Sequence, residues 1–105
     1  MRGLFDYNSA METQFYILLS LKTPQGFVNY GQYFFGDDRE AAFELFNSLK
    51  GTGDITAPLH IDLMETVGDL PVTIKTIGCS LEELGCNSKM IAKEIFRLKN
   101  LEEMT

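Results

Sequence analysis

The sequence predicts an α+β fold: a two-layer sandwich of tandem ββα-ββα units, with a four-stranded, mostly antiparallel sheet and two helices on one of its faces. Two observations carry this prediction. Apolar residues alternate along two pairs of segments, each pair joined by a short turn, and each pair precedes a segment in which apolar residues recur at helical spacing. An apolar sheet face requires a cover, and two amphipathic helices provide one. The order of the two hairpins in the sheet stays open.

The first unit opens with a hairpin. Its first strand places four apolar residues on one face: Phe15, Ile17, Leu19 and Leu21. A turn at TPQG, with Gly26 at positive φ, leads into an aromatic-rich second strand, and the predicted register pairs Leu21 with Asn29 and Ile17 with Tyr33. The helix that follows is predicted to be capped by Asp37. Its apolar face comprises Ala42, Leu45, Phe46 and Leu49.

The second unit repeats this order after a loose linker at 51–58. Leu59, Ile61 and Leu63 alternate, and a type II′ turn at Gly68 and Asp69 predicts that Leu63 pairs with Ile74. A capping box at SLEE then starts a long helix. Its first half contains three poor helix formers, Gly85, Asn87 and Ser88. A helix broken into two segments is therefore an alternative to one continuous helix.

Length and composition predict one domain, at 14–105, preceded by a flexible N-terminal arm at 1–13 in which no period is visible. The net charge of −6 and the absence of a Lys/Arg cluster disfavour nucleic-acid binding. The longest apolar run, at 15–21, is too short to span a membrane, and no secretory signal precedes it. A protein in the cytoplasm, without membrane partners, is the expectation.

The two cysteines, Cys79 and Cys86, invite a metal or redox interpretation. They lie seven positions apart, about 10 Å along a continuous helix, which is beyond disulfide reach. Together with the single histidine they supply three ligands at a spacing that matches no zinc motif. We therefore expect buried, inert thiols, no metal and no cofactor.

The candidate functional residues lie on the sheet face away from the helices. The predicted registers place His60, Asp62 and Lys75 there, a set that suits acid–base chemistry or, more simply, a solvated strand face with no nucleophile beside the histidine. They also gather a group of apolar and aromatic side chains on that face: Tyr16, Leu18, Val28, Tyr30, Phe34, Met64 and Ile77. Such a group is typical of a binding surface.

Two functions follow from this face. The first is a non-catalytic protein-interaction or regulatory module that self-associates through its open sheet face, as a homodimer or with another protein. The second is a small-molecule-binding protein or enzyme with its site on that face or at a subunit interface. A flat apolar patch favours the first, and a pocket with converging polar groups favours the second. In a further alternative, the N-terminal arm covers the apolar patch.

Overall fold

The computed structural model of the chain describes residues 13–54 and 56–104, with the side chains up to position 99. The predicted N-terminal arm therefore lies outside the described residues, except for Thr13. The described elements are β1 (Gln14–Thr23), β2 (Gly26–Gly36), α1 (Arg39–Ser48), β3 (Leu59–Val67), β4 (Leu70–Cys79) and α2 (Leu81–Met104).

The four strands form one open antiparallel sheet in the order β2-β1-β3-β4. The first strands of the two hairpins therefore meet at the centre, where Ile17 pairs with Leu63, and β2 and β4 form the edges. This arrangement confirms the predicted α+β fold and answers the question of hairpin order. None of the described helices is both long and apolar enough to cross a membrane.

The core lies between the sheet and the two helices. Phe15 and Ile17 of β1 and Ile61 and Leu63 of β3 are almost completely buried, because these strands are flanked on both sides and covered by helices. The helices add four buried residues to the same cluster: Ala42, Leu45, Phe46 and Ile91. The predicted apolar faces of both helices thus contact the sheet.

Both helices begin at capped N-termini. The N-cap of α1 is Asp38, whose carboxylate accepts a hydrogen bond from the Ala41 N–H at 3.0 Å, so the predicted cap at Asp37 was one residue too early. The capping box of α2 is confirmed: the Ser80 N–H donates to Glu83 Oε1 at 2.9 Å, and the Glu83 N–H donates to Ser80 Oγ at 3.1 Å.

Helix α2 is continuous through the segment in which a break was considered. Asn87 is completely buried there, and its amide joins the backbone of Lys50, just beyond α1. Asn87 Oδ1 accepts from the Lys50 N–H at 2.7 Å, and Asn87 Nδ2 donates to the Lys50 carbonyl at 2.8 Å. A poor helix former is therefore present because it satisfies two backbone groups on another segment.

A different turn in the first hairpin and bulges in both hairpins change the predicted registers. In the second hairpin the turn is type I′, with positive φ at both Gly68 and Asp69, and a bulge at Ile74 then pairs Leu63 with Lys75 instead of Ile74. In the first hairpin Leu21 pairs with Val28 instead of Asn29, and a bulge at Tyr30 restores the predicted pairing of Ile17 with Tyr33.

A further shift at the end of the first hairpin pairs Phe15 with Gly36. Each bulge moves the side chains beyond it to the opposite face.

The linker between the two units is anchored to the sheet, contrary to the loose segment that was expected. Thr52 and Gly78 exchange two backbone hydrogen bonds of 2.8 Å, and the Lys22 N–H donates to the Pro58 carbonyl at 2.8 Å. Between these anchors the Asp54 carboxylate accepts from the Thr56 N–H and hydroxyl, which lowers the pKa of Asp54.

Candidate functional site

The face of the sheet turned away from α1 and α2, which we call the open face, is built at its centre by two paired strands. Neighbours directly opposite each other in an antiparallel pair point to the same side. The register of β1 with β3 pairs Tyr16 with Met64, Leu18 with Asp62 and Ser20 with His60. Those six residues form the central rows of the open face: Tyr16, Leu18, Ser20, His60, Asp62 and Met64.

One end of the open face is apolar. The rings of Tyr16 and Phe34 stack with their centroids 4.9 Å apart and their planes at 25°. Tyr16 and Met64 are buried and Leu18 is half-buried, whereas 53% of Phe34 is exposed. Phe34 is therefore the side chain through which this end meets solvent, although Tyr16 had been expected in the same role.

The other end of the open face is more polar. The Ser20 hydroxyl donates a hydrogen bond to Asn29 Oδ1 at 2.9 Å, and the rings of Phe27 and His60 stack with centroids 4.4 Å apart. Side chains from all four strands surround an open depression at this end: Ser20, Phe27, His60, Asp62, Thr73 and Thr76. The predicted histidine and aspartate thus share a surface with hydroxyl groups.

Lys75 does not belong to this set, and its predicted place on the open face was wrong. The bulge at Ile74 turns Lys75 to the helix side, where its ammonium group donates to Asn47 Oδ1 at 3.0 Å and lies 5.7 Å from the centre of the Phe43 ring. The same shift carries Ile77 from the open face to the core side. The open face therefore lacks the ammonium group of Lys75 that was predicted near His60 and Asp62.

Ser20 is the residue that sequence reasoning missed, since no nucleophile was expected beside His60. The central pairing of β1 with β3 places Ser20 directly opposite His60, with Asp62 two residues farther along β3. A serine needs a base that accepts its proton, but the single hydroxyl proton of Ser20 is directed to Asn29.

Edge strand β2 exposes four large apolar side chains between positions 27 and 34. They are Phe27, Val28, Tyr30 and Phe34, each more than two-fifths exposed. Tyr30 occupies the bulge and has no partner residue in β1. Val28 pairs with Leu21 and so lies on the helix side, not on the open face as predicted. Exposed apolar side chains of this strand therefore lie on both sides of the sheet, with Phe27 and Phe34 on the open face and Val28 on the helix side.

The cysteines differ in their surroundings. Cys79 is buried at the end of β4, and burial together with the nearby Glu83 carboxylate raises the pKa of its thiol. Cys86 is exposed on α2, which corrects the expectation that both thiols are buried. Both are free thiols. Across residues 13–54 and 56–104, no three His, Cys, Asp or Glu side chains are grouped so that they could hold a metal ion.

Comparison with known proteins identifies no relative of this chain. No family model matches the chain, and neither the curated proteins nor the solved structures contain a match.

Proposed function

We propose that this chain is a non-catalytic protein-interaction module that self-associates through the apolar end of its open face and the adjoining surface of β2. The observation that carries the proposal is the exposed Phe34 ring, stacked on the buried Tyr16. A ring held in place by a buried neighbour loses little conformational freedom on binding, which is the property of interface anchors.

The distribution of polar groups supports binding over catalysis. The Ser20 hydroxyl proton is directed to Asn29, and the Lys75 ammonium group is on the other side of the sheet. In contrast, Phe34 and Tyr30 together present two aromatic side chains, each more than half exposed, on one strand. Exposed aromatic side chains of this kind are typical of interaction surfaces on small proteins.

Self-association is tested by sedimentation velocity over a range of protein concentrations, comparing the wild type with Phe34→Glu. The substitution removes the aromatic anchor and, in a symmetric dimer, brings two carboxylates near each other across the axis. We expect a dissociation constant at least about tenfold higher, which corresponds to about 1.4 kcal/mol. The control is Leu70→Glu, which introduces the same charged side chain beside the β3–β4 turn. Leu70 is 67% exposed.

Each result of the sedimentation experiment has a different meaning. A wild-type chain that stays monomeric at every concentration excludes self-association. Equal weakening by Phe34→Glu and Leu70→Glu would show that added negative charge, and not the position of Phe34, causes the effect. A far-UV circular dichroism spectrum of each variant establishes that it is folded before its association is interpreted.

The depression around His60 supports a second candidate, a small-molecule site on the same face. The observation in its favour is the convergence of the Asp62, Thr73 and Thr76 side chains beside the stacked Phe27 and His60 rings. A ligand with a flat ring and hydrogen-bonding groups suits this lining. A fragment screen by amide chemical shifts tests it: hits that cluster at these residues and are lost in Thr76→Val would support the site.

A further inference from the structure

The depression around His60 on the open face has polar groups whose free donors and acceptors can be worked out from the structure. Its volume is about 520 Å³, which lies in the range of small-molecule sites. Of its polar residues, Ser20 is buried and Thr73 is exposed. A buried polar group left unpaired costs free energy, so a ligand that enters the depression must complement these groups.

Two of the three hydroxyl groups in the depression have already directed their protons elsewhere. The Ser20 hydroxyl donates to Asn29 Oδ1 at 2.9 Å, and the Thr73 hydroxyl donates to Met64 Sδ at 3.3 Å. A hydroxyl group has one proton and two lone pairs, so both oxygens remain available as acceptors. A ligand that contacts them must therefore be a hydrogen-bond donor.

The Asp62 carboxylate adds further acceptor oxygens and a negative charge. It lies on β3, opposite Leu18 of β1 and Thr76 of β4. Within the described residues it forms no ion pair and accepts no hydrogen bond. A half-buried carboxylate is best complemented by a group that is both cationic and a donor, because hydrogen bonds between charged partners are the strongest ones.

The charges around the depression also favour a cation. The described strands place two charged side chains on the open face, Asp62 and Lys22. Lys22 is four residues along β1 from Leu18, the pairing partner of Asp62, which is roughly 13 Å and longer than the screening length at physiological salt. On the linker side, the Asp54 carboxylate interacts electrostatically with His60. The net charge of −6 attracts cations to the chain as a whole.

The aromatic pair in the depression favours a flat group. The rings of Phe27 and His60 stack with centroids 4.4 Å apart, and 47% of Phe27 remains exposed. Exposed aromatic rings attract cations and stack on planar guanidinium groups in particular. Because Phe27 and Asp62 line the same depression, one planar cation is able to contact both.

We propose that this depression binds a planar cation with several N–H donors, namely a guanidinium or amidinium group. The proposal rests on the second function proposed above, the small-molecule site, and names its ligand class. Asp62 pairs with the charged group, and the oxygens of Ser20 and Thr73 accept from donors on either side of it. The cation is carried by a ring-bearing small molecule or by the arginine side chain of a peptide, and the test separates these two sources.

Two pairs of probes test the role of charge at nearly constant shape. Benzamidine is compared with benzamide, its neutral analogue, and N-acetylarginine amide is compared with N-acetylcitrulline amide. Amide chemical shifts of the labelled chain report both the place of binding and the dissociation constant. We expect benzamidine to shift amides around the depression and to bind at least about tenfold more tightly than benzamide. Tighter binding of N-acetylarginine amide than of benzamidine would assign the ligand to a peptide, and the reverse would assign it to a small molecule.

Asp62→Asn removes the charge from the depression and keeps the shape of the side chain. It should weaken benzamidine binding by at least about tenfold. The matched control is Asp69→Asn, which removes the same charge at the β3–β4 turn, where the φ of 72° is one that asparagine adopts readily. The control should change the dissociation constant by less than about twofold. Added salt should weaken the binding of benzamidine to the wild type, a measurement that needs no substitution.

The results distinguish this proposal from the functions proposed above. Equal binding of benzamidine and benzamide in the depression would overturn the recognition of a cation and leave a small-molecule site standing. Equal weakening by Asp62→Asn and Asp69→Asn would show that net charge, and not Asp62, attracts the probe, and would overturn it as well. The absence of shifts around the depression with all of the probes would also overturn it, whereas self-association is decided separately by sedimentation.

Discussion

Replacing Asn87 by alanine should destabilise the fold by an amount that the structure allows us to work out. The side chain makes two hydrogen bonds with the backbone of Lys50, each contributing about 1 kcal/mol. Alanine is the better helix former by about half a kcal/mol, which offsets part of this loss. The cavity left at a fully buried position adds up to about 1 kcal/mol. We therefore expect the free energy of unfolding to fall by about 1.5–2.5 kcal/mol.

Urea unfolding followed by circular dichroism measures this change, provided that wild type and variant have the same dependence on urea. Cys86→Ala is the matched control, since it changes the preceding, exposed residue of the same helix and should alter the free energy of unfolding by less than about half a kcal/mol. Wild-type stability in Asn87→Ala would refute the role assigned to this amide.

Asn87→Asp separates hydrogen bonding from packing at the same position. The carboxylate keeps the acceptor for the Lys50 N–H but loses the donor to the Lys50 carbonyl. Burial raises the pKa of such a carboxyl in the folded state, so folding takes up a proton and stability increases as the pH falls through the folded-state pKa toward the unfolded value. Asn87→Asp should thus gain stability on mild acidification relative to Asn87→Ala, and a difference that stays constant with pH would contradict the burial of this side chain.

Two further predictions concern thiols and glycines. Because burial and Glu83 raise the pKa of Cys79, a thiol reagent at neutral pH should modify only Cys86 in the folded chain and both thiols in urea, as counted by mass spectrometry; fast labelling of Cys79 in the folded chain would contradict its burial. A Cβ at Gly85 would meet no atom within 4 Å, so Gly85→Ala should stabilise α2 by about 0.5–1 kcal/mol in urea unfolding. A Cβ at Gly78 would overlap the Asp54 carbonyl and lie 2.7 Å from Ala57 Cβ, so Gly78→Ala should destabilise the fold, and equal effects at the two glycines would refute this contrast.

The architecture could be predicted from the sequence because alternation, helical spacing and the capping box all indicated the same elements. The bulges could not be predicted in the same way, since they depend on which side chains the core admits. Ile74 and Ile77 are three residues apart, so a regular strand would direct them to opposite faces, yet both contact the core in the structure. The extra residue at the bulge makes this possible. The odd spacing of the two isoleucines was the available signal.

The candidate site was predicted only in part for related reasons. Lys75 was misplaced because its position depends on the same bulge, and Ser20 was missed because its approach to His60 requires the order of the hairpins. Asn87 was considered as a helix breaker because its partner, the Lys50 backbone, is remote in sequence. In each case the deciding contact joins segments that local patterns do not connect.

The central position of β1 and β3 has a consequence for how quickly the chain folds. Ile17 and Leu63 meet there with no exposed surface, although a whole hairpin strand, α1 and the linker separate them along the chain. Closing that loop costs entropy before the contact returns any stability, and proteins rich in such distant pairings fold slowly. Each hairpin forms from neighbouring residues and should appear early, but neither can bury its apolar face alone. We therefore expect the docking of the two hairpins along β1 and β3 to limit the folding rate, so that Leu63→Ala slows refolding in stopped-flow experiments more than changes near either turn do.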